Sequence, residues 1–218
     1  MTSEQNEQYF EEAPRSASDP GLFWYSFRGQ RFCFWTDAGV FSRRRIDRGT
    51  EVLLESLPLP LSGWGVDLGC GYGPLGIIAA ACSPRARIEL IDVNQRAVAL
   101  ARRNVEANGL LPQRVRVWQG DGLAALPGPI AGQLDFVLTN PPIRAGKELL
   151  HRWVDEVWHV LRPGGRLYLV VRTQQGAASL RRYLESVFGS DHCRLRDRAS
   201  GYRVFEASRG GLETAPQV

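Results

Sequence analysis

Lysine is almost absent from this chain: Lys147 stands alone among 27 lysine and arginine residues, beside one methionine, three histidines and four cysteines. His151, His159 and His192 are scattered, as are Cys33, Cys70, Cys82 and Cys193, with no C-x-x-C pair. That spacing suits no metal site, so no metal is expected, and the thiols are read as reduced and mostly buried. No apolar run reaches the roughly 18 residues that a membrane-spanning helix needs, so no membrane partner is expected. The first residues are acidic and polar, the opposite of a secretory signal, which places the protein in the cytoplasm.

A hydrophobic fraction of 44% in 218 residues supports one domain with a real core. The net charge of +4 is uneven: residues 1–20 hold Glu4, Glu7, Glu11, Glu12 and Asp19 against Arg15, a net of −4, which leaves +8 on the remainder. A basic body suits a polyanion such as RNA, although basic surfaces are common. Residues 1–20 are expected to be a disordered acidic tail and 209–218 a flexible one. Between them, 21–208 form a single domain, with a hairpin and helix over 21–60 and a sheet over 61–208.

Aromatic runs at 22–27 and 31–36, split by Arg28-Gly29-Gln30, predict a hairpin. A helix from Asp47 to Leu57 follows, ended by Pro58 and Pro60. From Gly63 onward, strands at 65–68, 87–91, 114–118, 134–138 and 166–172 alternate with helices. These begin at Pro74, run over 95–107 between Asn94 and Asn108-Gly109, and cover 146–161 and 176–188. Runs at 193–197 and 202–207 close the chain as a hairpin that adds an antiparallel edge. The series predicts an α/β fold, a mostly parallel sheet with helices on both faces.

Two turns carry the chemistry, and both follow apolar strands, so both lie where open parallel sheets bind ligands. The first is Asp67-Leu-Gly69-Cys70-Gly71-Tyr-Gly73-Pro-Leu-Gly76. Its glycines let the backbone turn sharply beneath a ligand. Asp92, followed by Val93, ends the next strand, where its carboxylate can accept two ribose hydroxyls. Asp121, followed by Gly122, comes after the third strand and can meet an adenine amino group. This pattern also satisfies the dinucleotide fingerprint G-x-G-x-x-G with an acid downstream. Asp67 favours S-adenosylmethionine, because a carboxylate suits an ammonium and not a pyrophosphate.

The second turn is Thr139-Asn140-Pro141-Pro142-Ile143-Arg144-Ala-Gly-Lys147. The Asn140 amide oxygen and the Pro141 carbonyl can accept the hydrogens of an amine, and two prolines fix the carbonyl's direction. Such a turn positions an amine without a strong base. Taken alone, Asn-Pro is also a common turn opener.

The string Asn140-Pro141-Pro142-Ile143 resembles the signature of amino-directed methyltransferases. Joined to Asp37-Ala-Gly-Val-Phe-Ser42 and Asp47-Arg-Gly-Thr50, it is similar to the small-domain methyltransferases related to bacterial 16S rRNA guanine-N2 methyltransferases. The resemblance spans about 22 to 208. It implies a class I, Rossmann-like, seven-stranded sheet with an antiparallel last strand. It implies donor binding by Asp67, Gly69, Asp92 and Asp121, and Asn140 to Ile143 facing the base. It points to guanine N2 of ribosomal RNA, in the small subunit, as the target. Relatives often carry an aromatic at the position of Ile143; here Phe41 is the candidate stacking ring. The larger relatives also have a second domain, and this chain is expected to carry only the catalytic one.

Arg43, Arg44 and Arg45 are candidates to grip phosphates, or are ordinary surface. Arg144 and Lys147, close to Asn140, are expected to face RNA. The aromatics of 23–35 are either a stacking platform or a small core with one or two rings exposed. Rival readings are an adenine-N6 or glutamine-N5 methyltransferase, an RNA-binding module with a vestigial donor site, and an NAD-dependent oxidoreductase. Oligomeric state is not legible.

Overall fold

The computed structural model describes residues 16–142 and 145–211. Ile143 and Arg144 therefore lie outside the described residues, as do 1–15 and 212–218. The two aromatic runs form a hairpin, β1 (Gly21–Phe27) and β2 (Gln30–Thr36). The tight turn puts Arg28 and Gly29 at φ 49° and 77°, so Gln30 joins the strand instead of the turn. Helix α1 (Arg48–Ser56) follows, capped by Asp47, whose side chain accepts the Gly49 N–H at 2.8 Å.

The sheet then builds from β3 (Gly63–Leu68), β4 (Ala86–Asp92), β5 (Val115–Gln119), β6 (Leu134–Thr139), β7 (Leu161–Arg172), β8 (Cys193–Ala199) and β9 (Tyr202–Ser208). Its helices are α2 (Pro74–Ala81), α3 (Gln95–Ala107), α4 (Lys147–Val160) and α5 (Ala177–Phe188). The strand order is β5-β4-β3-β6-β7-β9-β8. This is the seven-stranded, doubly covered α/β sheet that the sequence predicts. Strand periodicity divides it into two apolar layers: Tyr168 and Val170 of β7 pack in one with Phe34, Leu53 and Ile78, and Leu167, Leu169 and Val171 in the other with Trp153, Val157 and Leu180.

The terminal hairpin adds an antiparallel edge, as expected, while two boundaries differ. Helix α5 carries the chain past β7 to lay down β8 outermost, and the Ser200-Gly201 turn brings β9 back into the gap, antiparallel to both neighbours. Strand β7 begins at Leu161, and a register shift between Leu134 and Phe136 absorbs the Pro163-Gly164-Gly165 irregularity. Arg209, assigned to the C-terminal tail, extends the pairing: its N–H donates to Gly165 O at 2.9 Å and its carbonyl accepts from Gly164 at 2.8 Å.

Residues 16–19, within the stretch expected to be disordered, are held. Arg96 donates to Ser16 O at 2.8 Å and Ala38 O at 2.6 Å, and Asp37 accepts from Ser18 Oγ at 2.7 Å and Asp19 N at 2.5 Å. The hairpin is fastened by two asparagines one turn apart on α3. Asn104 accepts from Trp35 N at 2.7 Å and donates to Trp35 O at 2.9 Å, and Asn108 does the same for Cys33 at 3.0 and 2.8 Å. They supply to β2 what a third strand would supply. Of the four cysteines only Cys70 is buried; the others are half-buried free thiols.

Candidate functional site

A cleft of about 490 Å³ opens at the carboxyl ends of β3, β4 and β6. Asp67, Gly69, Cys70, Gly71, Asp92, Val93, Asp121, Gly122, Asn140, Pro141 and Pro142 line it, and so does Phe41. Both sequence turns thus face one space. Gly73 does not line the cleft. It has φ 92°, and a Cβ there would lie 2.9 Å from Ile77 Cδ1, so it serves the turn into α2.

The glycine loop is closed on itself. Gly69 and Cys70 both donate to Ile91 O at 2.9 Å, Gly73 donates to Cys70 O at 3.0 Å, and Gly71 donates to Asp92 Oδ2 at 2.7 Å. These N–H groups are therefore not offered to a phosphate, which is what a dinucleotide loop would require. Asp92 Oδ1 also accepts from Asn94 N at 2.9 Å. The Val93 N–H also bears on this carboxylate, and of its roughly four acceptor positions at least one is left for a hydroxyl. Burial raises the Asp92 pKa while these backbone N–H groups pull it down.

Asp67 is fully buried and accepts the Gly76 N–H at 2.8 Å, which ties β3 to the first turn of α2. Burial pushes its carboxyl up to about 7, with the negative field of Asp92 adding to the rise. The charged side chains of the cleft are Asp47, Asp67, Asp92 and Asp121 against Arg152 and Arg172. That excess of carboxylates suits a cationic ligand.

Asn140 is the most constrained side chain of the second turn. Its Nδ2 donates to Asp47 Oδ2 and to Thr50 Oγ1, each at 3.0 Å. Both amide protons are spent on α1, so the amide cannot flip without losing two hydrogen bonds, and Oδ1 is left as the acceptor. Thr139 Oγ1 donates to Leu68 O at 2.8 Å and locks the end of β6 to β3. Asp47 serves twice, as the α1 cap and as the anchor of Asn140.

Other residues came without a sequence signal. Tyr72, inside the glycine loop, is buried, and its hydroxyl donates to Ser42 O at 3.2 Å and Arg45 O at 3.3 Å. The donor loop is therefore bonded to the segment that presents Phe41. Asp121, expected to meet an adenine, is bound by Arg152 Nη2 at 2.8 and 2.9 Å on the rim. Arg172, Gln175 and Tyr202 complete the far wall, with Arg172 Nε donating to the Tyr202 hydroxyl at 2.8 Å. Arg43, Arg44, Arg45 and Lys147 lie outside the cleft. Arg43 is ion-paired with Asp19, whereas Arg44, Arg45 and Lys147 are exposed.

Comparison with known proteins agrees with this geometry. The family description "Methyltransferase small domain" matches residues 31–206. The protein YbxB of Bacillus subtilis (strain 168), itself uncharacterized, is 35% identical over 94% of this chain and 99% of its own length. Ribosomal RNA small subunit methyltransferase C of Pseudomonas entomophila is 38% identical over 79% of this chain and 49% of its own. The chain thus spans about half the length of that relative. Among solved structures, the T. thermophilus 16S rRNA N2 methyltransferase RsmC, in complex with AdoMet and guanosine, superposes with a TM-score of 0.76. It is 25% identical, over 90% of this chain and 52% of that one.

Proposed function

The chain belongs to the methyltransferase small-domain family and uses S-adenosylmethionine as donor, and from that premise we propose that it methylates the exocyclic N2 amine of a guanine in 16S ribosomal RNA. The observation that carries the reading is the orientation of Asn140. With Nδ2 bound to Asp47 and Thr50, Oδ1 is the group presented to an incoming amine. The reading treats 21–208 as one catalytic domain, working in the cytoplasm on the small ribosomal subunit or its RNA.

When bound, S-adenosylmethionine supplies a methyl group on a cationic sulfur. Asp92 would hold the ribose hydroxyls through its free acceptor capacity, Val93 and Gly122 would border the adenine, and Asp67 would answer the ammonium. Asp121, held by Arg152, bounds the adenine end. Asn140 Oδ1 and the Pro141 carbonyl take the two amine hydrogens. These two acceptors would orient the nitrogen lone pair toward the donor and favour the positive charge that grows on nitrogen as the N–C bond forms and the methyl–sulfur bond breaks, its electron pair passing to the sulfonium sulfur. The proton is then lost to water, since Asn140 cannot take it. Phe41, which also lines the cleft, would stack on the base, and Ile143 would add apolar contact. Arg44, Arg45, Arg144 and Lys147 hold flanking phosphates.

The test is single-turnover transfer from labelled donor to unmodified 16S RNA. Asn140→Ala should slow the step by roughly 10²–10³-fold, as when one preorganised partner is removed, with donor affinity near wild type. Equal rates in the two proteins would overturn the role given to Asn140. Tight NAD binding with no donor binding would overturn the family's chemistry here.

A further inference from the structure

The hairpin divides its aromatics between two faces. Phe23, Tyr25, Phe27, Phe32 and Phe34 turn inward, and Phe34 meets Tyr72 edge-on at 5.9 Å. The register pairs Leu22 with Trp35, Trp24 with Cys33 and Ser26 with Arg31, so these six share the outer face. There Leu22 is 47% and Trp24 56% exposed, two of the four large exposed apolar residues among those described. A surface that only closed a core would not place tryptophan outward.

Two guanidinium groups lie over this face. Arg31 sits 4.6 Å from the Trp24 ring centroid, and Arg103, reaching from α3, sits 3.4 Å from that of Trp35. Arg28 is at the turn, over Phe27 at 5.5 Å. Among the described residues none of these three arginines has a carboxylate partner. Trp35 is six residues before Phe41 in the chain, a reach of at most about 20 Å. The Trp35 end of the face therefore lies within that reach of Phe41 on the cleft wall.

We propose that this outer face, built on Trp24, Arg31, Trp35 and Arg103, docks a single-stranded segment of the substrate RNA; the proposal rests on the chain's being an RNA methyltransferase. The chemistry favours a single strand over a duplex. Unstacked bases offer π-faces to tryptophan and arginine planes, and the arginines also answer the phosphate charge. A paired helix hides its base faces and would meet only the charge. The asparagine ladder from Asn104 and Asn108 makes the platform rigid, so little ordering is needed on docking. This surface supplies RNA contact on the catalytic domain itself.

The test uses the full chain and a fluorescein-labelled twelve-nucleotide RNA of mixed sequence, single-stranded or annealed to its complement, without donor. Wild type should bind the single strand more tightly than the duplex and show quenching of tryptophan emission. Trp24→Ala/Arg31→Ala should weaken single-strand binding by roughly 10–100-fold, the scale of removing one or two stacked planes. Duplex binding should change far less, and Trp24→Phe should recover most of the affinity. In transfer assays KM for RNA should rise while kcat and donor affinity stay put. Arg103→Ala, from a separate element, should act in the same direction. Unchanged single-strand affinity in the double variant, an equal weakening for duplex and single strand, or a Trp24→Phe variant as weak as Trp24→Ala would each overturn the proposal. None of these results bears on whether donor binds or methyl is transferred, which the kcat and donor arms read separately.

Discussion

At the scale of single residues, the polar groups of the cleft are largely committed to partners within the protein. Asn140 has given its amide protons to Asp47 and Thr50, so Thr50→Val should leave one buried N–H unpaired and loosen the amide. The expected result is a fall of about tenfold in the single-turnover rate, with donor affinity and folding nearly unchanged; an unaltered rate would mean that Asp47 alone sets the orientation. Asp67 makes a pH prediction. Its carboxyl is raised to about 7 by burial, against about 3.9 in an unfolded chain. The folded state therefore holds a proton that the unfolded chain releases, and this residue's contribution to stability declines as pH rises from about 4 to about 7. A cationic donor favours the ionised form, so its binding should expel a proton below pH 7. Calorimetry at pH 6 in buffers of different ionisation enthalpy should detect that release, and affinity should climb toward pH 7 and then level. Asp67→Asn should abolish both effects; proton exchange that persists in the variant would assign it to another group.

At the scale of elements, α1 and α3 do work that the sheet cannot. Helix α1 brings Asp47 and Thr50 to Asn140, and α3 fastens the hairpin through Asn104, whose amide also donates to Tyr72 O at 2.9 Å. Asn104→Ala would strand buried backbone groups of Trp35 and Tyr72, and should cost about 2–4 kcal/mol in a denaturation experiment. A cost under about 1 kcal/mol, the scale of an ordinary surface change, would show that water replaces the amide. The elements themselves were legible in the sequence because their signals are local: Asn94 before α3, Asn108-Gly109 after it, Pro74 at the start of α2, and the Gly69 to Gly73 run. What stayed hidden is non-local. The Asn140 bonds span 93 and 90 residues, and the Asn104 bonds to Trp35 span 69. No spacing rule links such positions. The order of the two terminal strands was not legible for a related reason, since a hairpin pairs with itself whichever of its strands faces the sheet. No spacing rule links Arg152 of α4 to Asp121 either, and only the fold sets them together.

At the scale of the whole molecule, a cleft lined by carboxylates for a cationic donor sits in a body of net positive charge outside the acidic tail. On the proposed reading the two fields serve different ligands, one for the donor and the other for RNA. Arg43 is already neutralised by Asp19, whereas Arg44 and Arg45 are exposed. Arg44→Ala/Arg45→Ala should therefore reduce the slope of log affinity against log salt by about 0.7–0.9 for each phosphate left without its arginine, and Arg43→Ala should leave it nearly unchanged. The opposite ranking would mean that the Asp19 pair opens on docking. The central claim, transfer of a methyl group to guanine N2 in small-subunit RNA, is tested most directly by nucleoside mapping. Unmodified small subunits, large subunits and deproteinised 16S RNA would each be incubated with labelled S-adenosylmethionine and then digested to nucleosides. The account predicts label in N2-methylguanosine from small-subunit material, abolished by Asn140→Ala. Label in N6-methyladenosine or in protein, or none in any substrate despite tight donor binding, would contradict it.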